Sequence, residues 1–542
     1  MSIVKGFVKA QGQKLINEDG QELLFRGVGL GGWLLPEGYM WRFPEQGDRP
    51  RRMEKLIIDL VGEQKAKEFW KTYYERYTSE ADICRIAKEG FNSVRIPVNS
   101  RFLIKEYEPV RYNDRHLKII DNLIEWCRKY GLYVILDLHG APGGQTGTNI
   151  DDSENNRPEL FTNGKNRQLT IELWGMLAKR YRNEWIIAGY DLLNEPLPQW
   201  FSEYNREVMP LYRDIIKEIR KVDERHMIIL EGVHWATDWS IFEKKPDDNL
   251  MLQFHKYWNN PDTESIQEFL DKGGEWKVPI FMGEGGENNP DWVAGAFRLC
   301  EDHNISWNFW TWKKMGGDNS PCIIKTPSDW SKLAAYLEGG IKPDGVTAQN
   351  ILDEFLNNLS TDKCEYHREI VDALLRRPPV RIPAVFYGYR GEGISFGWTN
   401  RKASQIKFRK NDGMGLGFVE GAHGEPNFKH MQGQPWAGDE WMYVQLAGGD
   451  WVAYEFSTEG VAEASLFTVS LCMCAVSETG IIEVSIDGTA AAGILVKNTD
   501  AWEVVCPDKE FDLVPGQHRI VLKAPGSPVR ILWLKLYPAK DK

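Results

Sequence analysis

Between residues 23 and 312 the chain alternates short apolar runs with longer segments whose apolar positions recur every three or four residues. The short runs, at 23–30, 92–98, 133–138, 187–193, 227–231, 250–254, 279–282 and 306–312, predict strands. The periodic stretches 78–89, 117–130, 167–182, 209–222 and 265–272 predict helices. Eight strands alternating with helices over some three hundred residues is the pattern of an α/β fold closed into a (β/α)8 TIM barrel. A doubly wound sheet would alternate too, but no glycine-rich phosphate loop follows any strand, and the count of eight favours closure. Three connections after strands are unusually long, at 31–80, 139–165 and 313–345. Loops following barrel strands gather at the catalytic face, where long ones shape a substrate site.

After Leu374-Leu375-Arg376-Arg377-Pro378-Pro379 the helical periodicity stops. Short alternating runs follow, at 451–456, 466–472, 481–486, 502–506, 518–522 and 529–536, punctuated by Gly, Pro, Asn and Asp. They predict a C-terminal all-β jelly-roll sandwich. The expected organisation is a catalytic barrel over residues 1–378 and a β-sandwich over 379–542.

Composition narrows the field. A chain of 542 residues is too long for a single core. A net charge of −12 argues against nucleic acid or an anionic membrane surface as partner. No run of 18 apolar residues occurs, and the first ten residues hold no signal-peptide core. The expected location is cytoplasmic, or secreted if a leader has been removed. Eight cysteines without a Cys-x-x-Cys pair point to reduced thiols. The 22 tryptophans fit either sugar stacking or large buried cores. Oligomeric state is left open.

Read at the strand ends alone, the barrel presents Arg95, His139, Asn194 with Glu195, His255 with Tyr257, Glu284 and Trp310. So many polar groups in register at one rim are hard to attribute to packing. Two carboxyls facing one another there are the minimum apparatus for cleaving a glycosidic bond. One attacks the anomeric carbon and must start ionised; the other protonates the leaving oxygen and must start neutral. Arg95 and Tyr257 are the available donors to the nucleophile. Asn194 can bind the sugar 2-hydroxyl, His139 and His255 can bind hydroxyls or hold the carboxylates, and Trp310 can floor the catalytic subsite.

These residues also carry a resemblance. The segments Gly90-Phe91-Asn92-Ser93-Val94-Arg95-Ile96-Pro97, Leu136-Asp137-Leu138-His139-Gly140, Leu193-Asn194-Glu195-Pro196, His255-Lys256-Tyr257, Gly283-Glu284 and Trp310 are similar to those of glycoside hydrolase family 5 of clan A, in the family's order, over about residues 20–345. The resemblance implies a retaining mechanism with Glu195 as acid/base and Glu284 as nucleophile, and no metal or organic cofactor. Gly27-Val28-Gly29-Leu30-Gly31-Gly32-Trp33-Leu34 and the stretch from Asp137 to Gln145 resemble the exo-β-1,3-glucanase branch. That implies exo action on β-glucosides or β-1,3-glucan oligosaccharides and adds Trp33 to the substrate-binding set. Gly285-Gly286-Glu287 departs from the family pattern after the nucleophile, and Glu287 is either an aglycone contact or a solvated loop charge.

The C-terminal stretch resembles jelly-roll carbohydrate-binding modules through Arg381-Ile382-Pro383-Ala384, Gly448-Gly449-Asp450-Trp451-Val452-Ala453-Tyr454-Glu455 and Ile531-Leu532-Trp533-Leu534. Such modules place a calcium-holding glutamate where this chain has Val385, which disfavours calcium. Trp436, Trp441 and Trp502 are read as core or as sugar platforms.

Other readings stay open: an endo-β-1,4-glucanase or mannanase on the same barrel, a diglycosidase acting on plant glycosides, or a catalytically dead glycan-binding protein. A metal-dependent hydrolase would place His-x-His at the end of the first strand, and residues 26–33 contain no histidine.

Overall fold

The computed structural model describes residues 4–420, 424–461, 465–477, 479–490, 493–497 and 501–539. By its internal contacts the chain divides into two compact units, one of residues 1–256, 269–285 and 305–366, the other of 257–268, 286–304 and 367–542.

The eight expected strands all form, as β1 (Arg26–Gly29), β2 (Ser93–Asn99), β3 (Tyr133–Gly140), β4 (Ile187–Asp191), β5 (Met227–Glu231), β6 (Leu250–Tyr257), β7 (Ile280–Gly286) and β8 (Ser306–Trp310). They close into a barrel in chain order, β8 returning to β1 through the parallel pairing of Asn308 with Gly27. Every residue of β2, β3 and β7 is buried, because helices cover the outer face and the strands fill the inner one themselves. The inner positions are reached by every second residue, so Asp137 and His139 of β3 share a face, as do Gln253 and His255 of β6.

The helices between strands end where their local sequence says they should. In the helix Glu80–Glu89, Ser79 and Asp82 form a reciprocal capping box, and Gly90 closes the helix at φ 98°. In Asp114–Tyr130 the Asn113 side chain accepts from the His116 N–H, and Gly131 ends the helix at φ 73°.

The three long connections interlock. The first carries the helices Pro50–Val61 and Glu63–Arg76. Its Arg49 donates to the Ser153 carbonyl and hydroxyl at 2.9 and 2.8 Å, and its Arg51 donates from the backbone to Asp152 at 3.0 Å. Asp152 also accepts from Asn99 at 3.0 Å and Arg101 at 2.6 Å, beside the end of β2. On the other side the indole N–H of Trp330 donates to the Trp41 carbonyl at 2.7 Å, and the rings of Phe43 and Trp330 stack at 5.1 Å and 7°. Loops after β8, β1 and β3 are thereby one wall.

In the second unit two antiparallel sheets form. One is built on Met442–Leu446, Val529–Pro538 and Leu466–Ala475; the other on Trp451–Ser457, Gln517–Lys523 and Thr479–Ile486. Thr479–Ile486 alternates exposed and buried residues, the period of a strand with one wet face. Trp436 is buried and meets Trp441 edge-on at 5.0 Å, and Trp502 lies against Tyr443 at 6.1 Å. Val385 is buried, and its carbonyl accepts from the Arg409 guanidinium, which also binds the carbonyls of Tyr387 and Gly388. All eight cysteines are free thiols. No helix among the described residues is long and apolar enough to cross a membrane.

Candidate active site

Arg95 organises the barrel mouth. Fully buried on β2, its guanidinium donates to Asp191 at 2.8 Å, to Glu284 at 2.5 Å, to the Asn194 side chain at 2.8 Å and to Glu231 at 3.0 Å, with Asp137 at 3.1 Å. Five donors fixed in one plane can hold that many partners only if every strand end is in register. Burial works against the charge of Arg95, but the surrounding carboxylates outweigh it and hold its pKa above the ordinary value. Burial pushes Asp137 and Asp191 well above the usual carboxylate range, and Oδ1 of each has no hydrogen-bond partner.

Glu195 lies four residues past the end of β4 at φ 43°, a left-handed conformation costing a non-glycine residue about 1–2 kcal/mol. Its own N–H donates to Oε2 of Glu231 at 2.7 Å, which fixes the turn. Its side chain meets His255: Nδ1 donates to Oε1 at 2.7 Å. The same Nδ1 stands 3.6 Å from Oε2 of Glu284. Burial would lower the His255 pKa, but the charges of Glu231 and Glu284 and the bond to Glu195 raise it well above its ordinary value. Gln253, one inward position earlier on β6, donates to Asp191 at 3.0 Å and to Glu231.

His139 behaves in the opposite way. Burial drives its pKa down to about 4, so it is neutral. Its Nδ1 donates to Asp137 at 2.7 Å and its Nε2 accepts from Asn194 at 3.4 Å. Its ring lies parallel to the Trp310 indole at 5.5 Å and 7°. The Trp310 ring rests on glycine backbone, where a Cβ at Gly29 or Gly31 would stand 2.6 Å from it. Its N–H donates to the Tyr39 hydroxyl at 2.9 Å.

One carboxylate oxygen each from Glu195 and Glu284, with a ring nitrogen of His255, lie within 4.8 Å of one another. Among the described residues this is the one trio of His, Cys, Asp or Glu that could share a cation. A ligating imidazole must be neutral, and the charges of Glu231 and Glu284 around His255 favour its protonated form instead. Two carboxyls at that spacing fit double displacement, which needs about 5–5.5 Å; a water-mediated single displacement needs about 6.5 Å or more.

The structure thus brings Arg95, His139, Asn194, Glu195, His255, Glu284 and Trp310 to one end of the barrel. Tyr257 ends β6 and Glu287 follows β7 at φ 47°; both are half-buried and belong to the second unit. Trp33 is a correction. Its side chain is fully buried and its N–H donates to the Tyr74 carbonyl at 2.9 Å, so the ring packs the inside of the first long loop instead of facing substrate.

Asp137, Asp191, Glu231, Gln253, Glu37 and Tyr39 were not singled out in the sequence. The signal for the first four was available: a charge or amide inside an otherwise apolar strand needs a partner. Glu37, buried with Oε1 4.0 Å from His139 Nε2, and Tyr39 sit in a long loop with no such pattern.

The chain is similar to several known proteins. The family model described as Cellulase (glycosyl hydrolase family 5) matches residues 59–316. A protein named beta-xylosidase from Phanerodontia chrysosporium is 31% identical over 346 residues, 57% of this chain and 71% of that protein. A probable glucan 1,3-beta-glucosidase A from Aspergillus clavatus is 30% identical over 394 residues, 70% of this chain and 85% of that one. This chain belongs to glycosyl hydrolase family 5. The family 5 enzyme is a retaining β-glycoside hydrolase. Among solved structures, Thermotoga maritima Cel5A in complex with cellobiose is similar at 19% identity and a TM-score of 0.42, over 65% of this chain and 97% of that one.

Proposed function

We propose that this enzyme removes single glucosyl units from the ends of β-1,3-linked gluco-oligosaccharides or from β-glucosides, with Glu284 as nucleophile and Glu195 as acid/base. The observation that carries the double displacement is the carboxylate spacing, within 4.8 Å. Glu284, held by Arg95 through Oε1, attacks the anomeric carbon as the glycosidic C–O bond breaks. The leaving oxygen takes a proton from the carboxyl of Glu195, whose Oε1 is positioned by the Nδ1–H of His255. Water then enters, Glu195 takes its proton, and attack on the glycosyl ester frees Glu284 with the β configuration restored.

Exo action is supported by the hydrogen bonds that tie the connections after β8, β1 and β3 to one another, an arrangement suited to closing one end of a substrate site. The glucan 1,3-beta-glucosidase relatives support the glucosyl specificity. The Phanerodontia relative's name supports a second reading, in which the sugar is xylose.

Proton NMR of the first-formed product, with aryl β-glucoside and aryl β-xyloside offered separately, tests both. The expected result is β-glucose appearing first, and laminarihexaose giving glucose and the pentasaccharide at the first cleavage. An α-anomer appearing first would overturn the double displacement, di-, tri- or tetrasaccharides as first products would overturn exo action, and preference for the xyloside would overturn the sugar.

A further inference from the structure

The turn that carries Glu195 is strained on both sides of Pro196: Glu195 stands at φ 43° and Leu197 at φ 59°, and neither is a glycine. Such a turn persists only where its backbone groups are held from outside. Two of the holds come from the end of β5 and the turn after it. Glu231 accepts from the Glu195 N–H at 2.7 Å, and the N–H of His234 donates to the Leu197 carbonyl at 2.8 Å. The other two come from a single residue in the connection after β3, Gln145.

Gln145 is completely buried. Its Nε2 donates at 3.0 Å to the carbonyl of Asn194, the peptide bond that leads into Glu195. Its own backbone carbonyl accepts from the Leu197 N–H at 3.3 Å, on the far side of the same turn. Nε2 also donates to the His139 carbonyl at 2.7 Å, and Oε1 accepts from the Ala141 N–H at 3.1 Å. The side chain therefore meets two carbonyls and one N–H, all main-chain groups of fixed polarity. An amide offers two donor hydrogens and an acceptor; a hydrocarbon would leave all three groups unpaired, and a carboxylate would set oxygen against oxygen. Gln145 thus fastens the end of β3 to the turn past β4.

We propose that Gln145 is a positioning residue for proton transfer: by holding the Asn194 carbonyl and the Leu197 N–H, it fixes the direction in which the Glu195 carboxyl projects. This inference rests on the roles given to Glu195 and Glu284. Glu284 is held separately, on β7 and by Arg95, so loss of the Gln145 amide falls on protonation and spares the attack. A reacting group misplaced by about 1 Å costs about a hundredfold. The cost appears only where the leaving group needs a proton.

The test measures kcat/KM for the full-length wild type, Gln145→Ala, Glu195→Gln and the double variant. The substrates are phenyl and 2,4-dinitrophenyl β-glycosides of whichever sugar, glucose or xylose, the wild type cleaves faster. Phenol leaves with a proton and dinitrophenol without one. Gln145→Ala should lose about a hundredfold on the phenyl glycoside and stay within about threefold on the dinitrophenyl one. On the latter, kcat and KM should fall together, as glycosyl-enzyme waits for Glu195 to take a proton from water. In the Glu195→Gln background the same change should cost less than about threefold on the phenyl glycoside, because the carboxyl it aims is gone.

A loss on the phenyl glycoside below about threefold, equal losses on the two substrates, or a full further loss in the Glu195→Gln background would overturn the inference and leave the carboxylate roles in place. Equal losses on both substrates in Glu195→Gln itself would overturn the acid/base assignment, and this inference with it. If the alanine variant does not fold, as judged by circular dichroism, Gln145→Asn carries the same comparison. It keeps the amide at shorter reach, and the expected loss on the phenyl glycoside is about tenfold.

Discussion

Nδ1 of His255 lies 2.7 Å from Oε1 of Glu195 and 3.6 Å from Oε2 of Glu284, so one imidazole borders both members of the carboxylate pair. Glu231 lies behind it, Oε1 3.4 Å from Nε2, and its charge raises the pKa of the ring. Glu231 also accepts from Arg95 and from the backbone of Glu195, so one side chain fixes the ring, the guanidinium and the strained turn together.

Glu284→Gln and Glu195→Gln should each leave a folded protein and lower turnover of a β-glucoside with a poor leaving group by about 10³-fold or more. The two should part on an activated aryl glucoside. There Glu195→Gln retains glycosylation and accumulates glycosyl-enzyme, visible by intact-protein mass spectrometry, whereas Glu284→Gln forms none. A wild-type rate in either variant would remove that residue from the mechanism.

Stability should depend on pH through His139. Its folded value of about 4 lies below the ordinary 6.5, so between those values only the unfolded chain takes up the proton. The contribution is complete above pH 6.5 and is lost as pH falls towards 4, about 3 kcal/mol in all. Denaturant titrations of wild type and His139→Gln across that range should differ in slope by close to one proton. His255 runs the other way: its stabilisation is complete below pH 6.5 and is lost as pH rises through its elevated folded value.

Gly31→Ala should damage substrate binding without touching a titrating group. The new Cβ would stand 2.6 Å from the Trp310 ring and 2.8 Å from the Thr311 hydroxyl, so the indole must shift. The expected result is a rise in KM of about tenfold, with destabilisation of about 1–3 kcal/mol for the overpacking. An unchanged KM would show that Trp310 does not set the floor of the sugar site.

Asp152→Ala should loosen the wall. The change removes the acceptor shared by Arg51, Asn99 and Arg101. Because the two arginines are partly exposed, about 2–3 kcal/mol is expected, less than for a fully buried pair. First-cleavage products from laminarihexaose should then include di-, tri- and tetrasaccharides, as sized by chromatography at low conversion; glucose and pentasaccharide alone would free the wall from any part in exo action.

The barrel was legible because its signal is local. Each strand is a short apolar run, and polarity at the run's end marks the rim, which is how Glu195, Glu284, Arg95 and His139 could be picked out. What could not be read depends on partners distant in the chain. Trp33 has the same composition signal as Trp310, and only the fold turns one inward to Tyr74 and lays the other on glycine backbone. Glu231 and Gln253 lie within strands read as core, and their role emerges only once β2, β4 and β6 stand side by side. The joining of the three long loops involves residues over a hundred positions apart, beyond any periodicity.

The bond from Trp330 to Trp41 spans 289 residues, and β8 must first reach β1 before either side chain is in place. A contact so distant in sequence is entropically slow to make. During synthesis from the N-terminus, both glutamates therefore emerge well before the enclosure around them can be completed. A nascent or truncated chain ending before residue 330 would carry the complete acid pair with no chamber to hold a sugar against it.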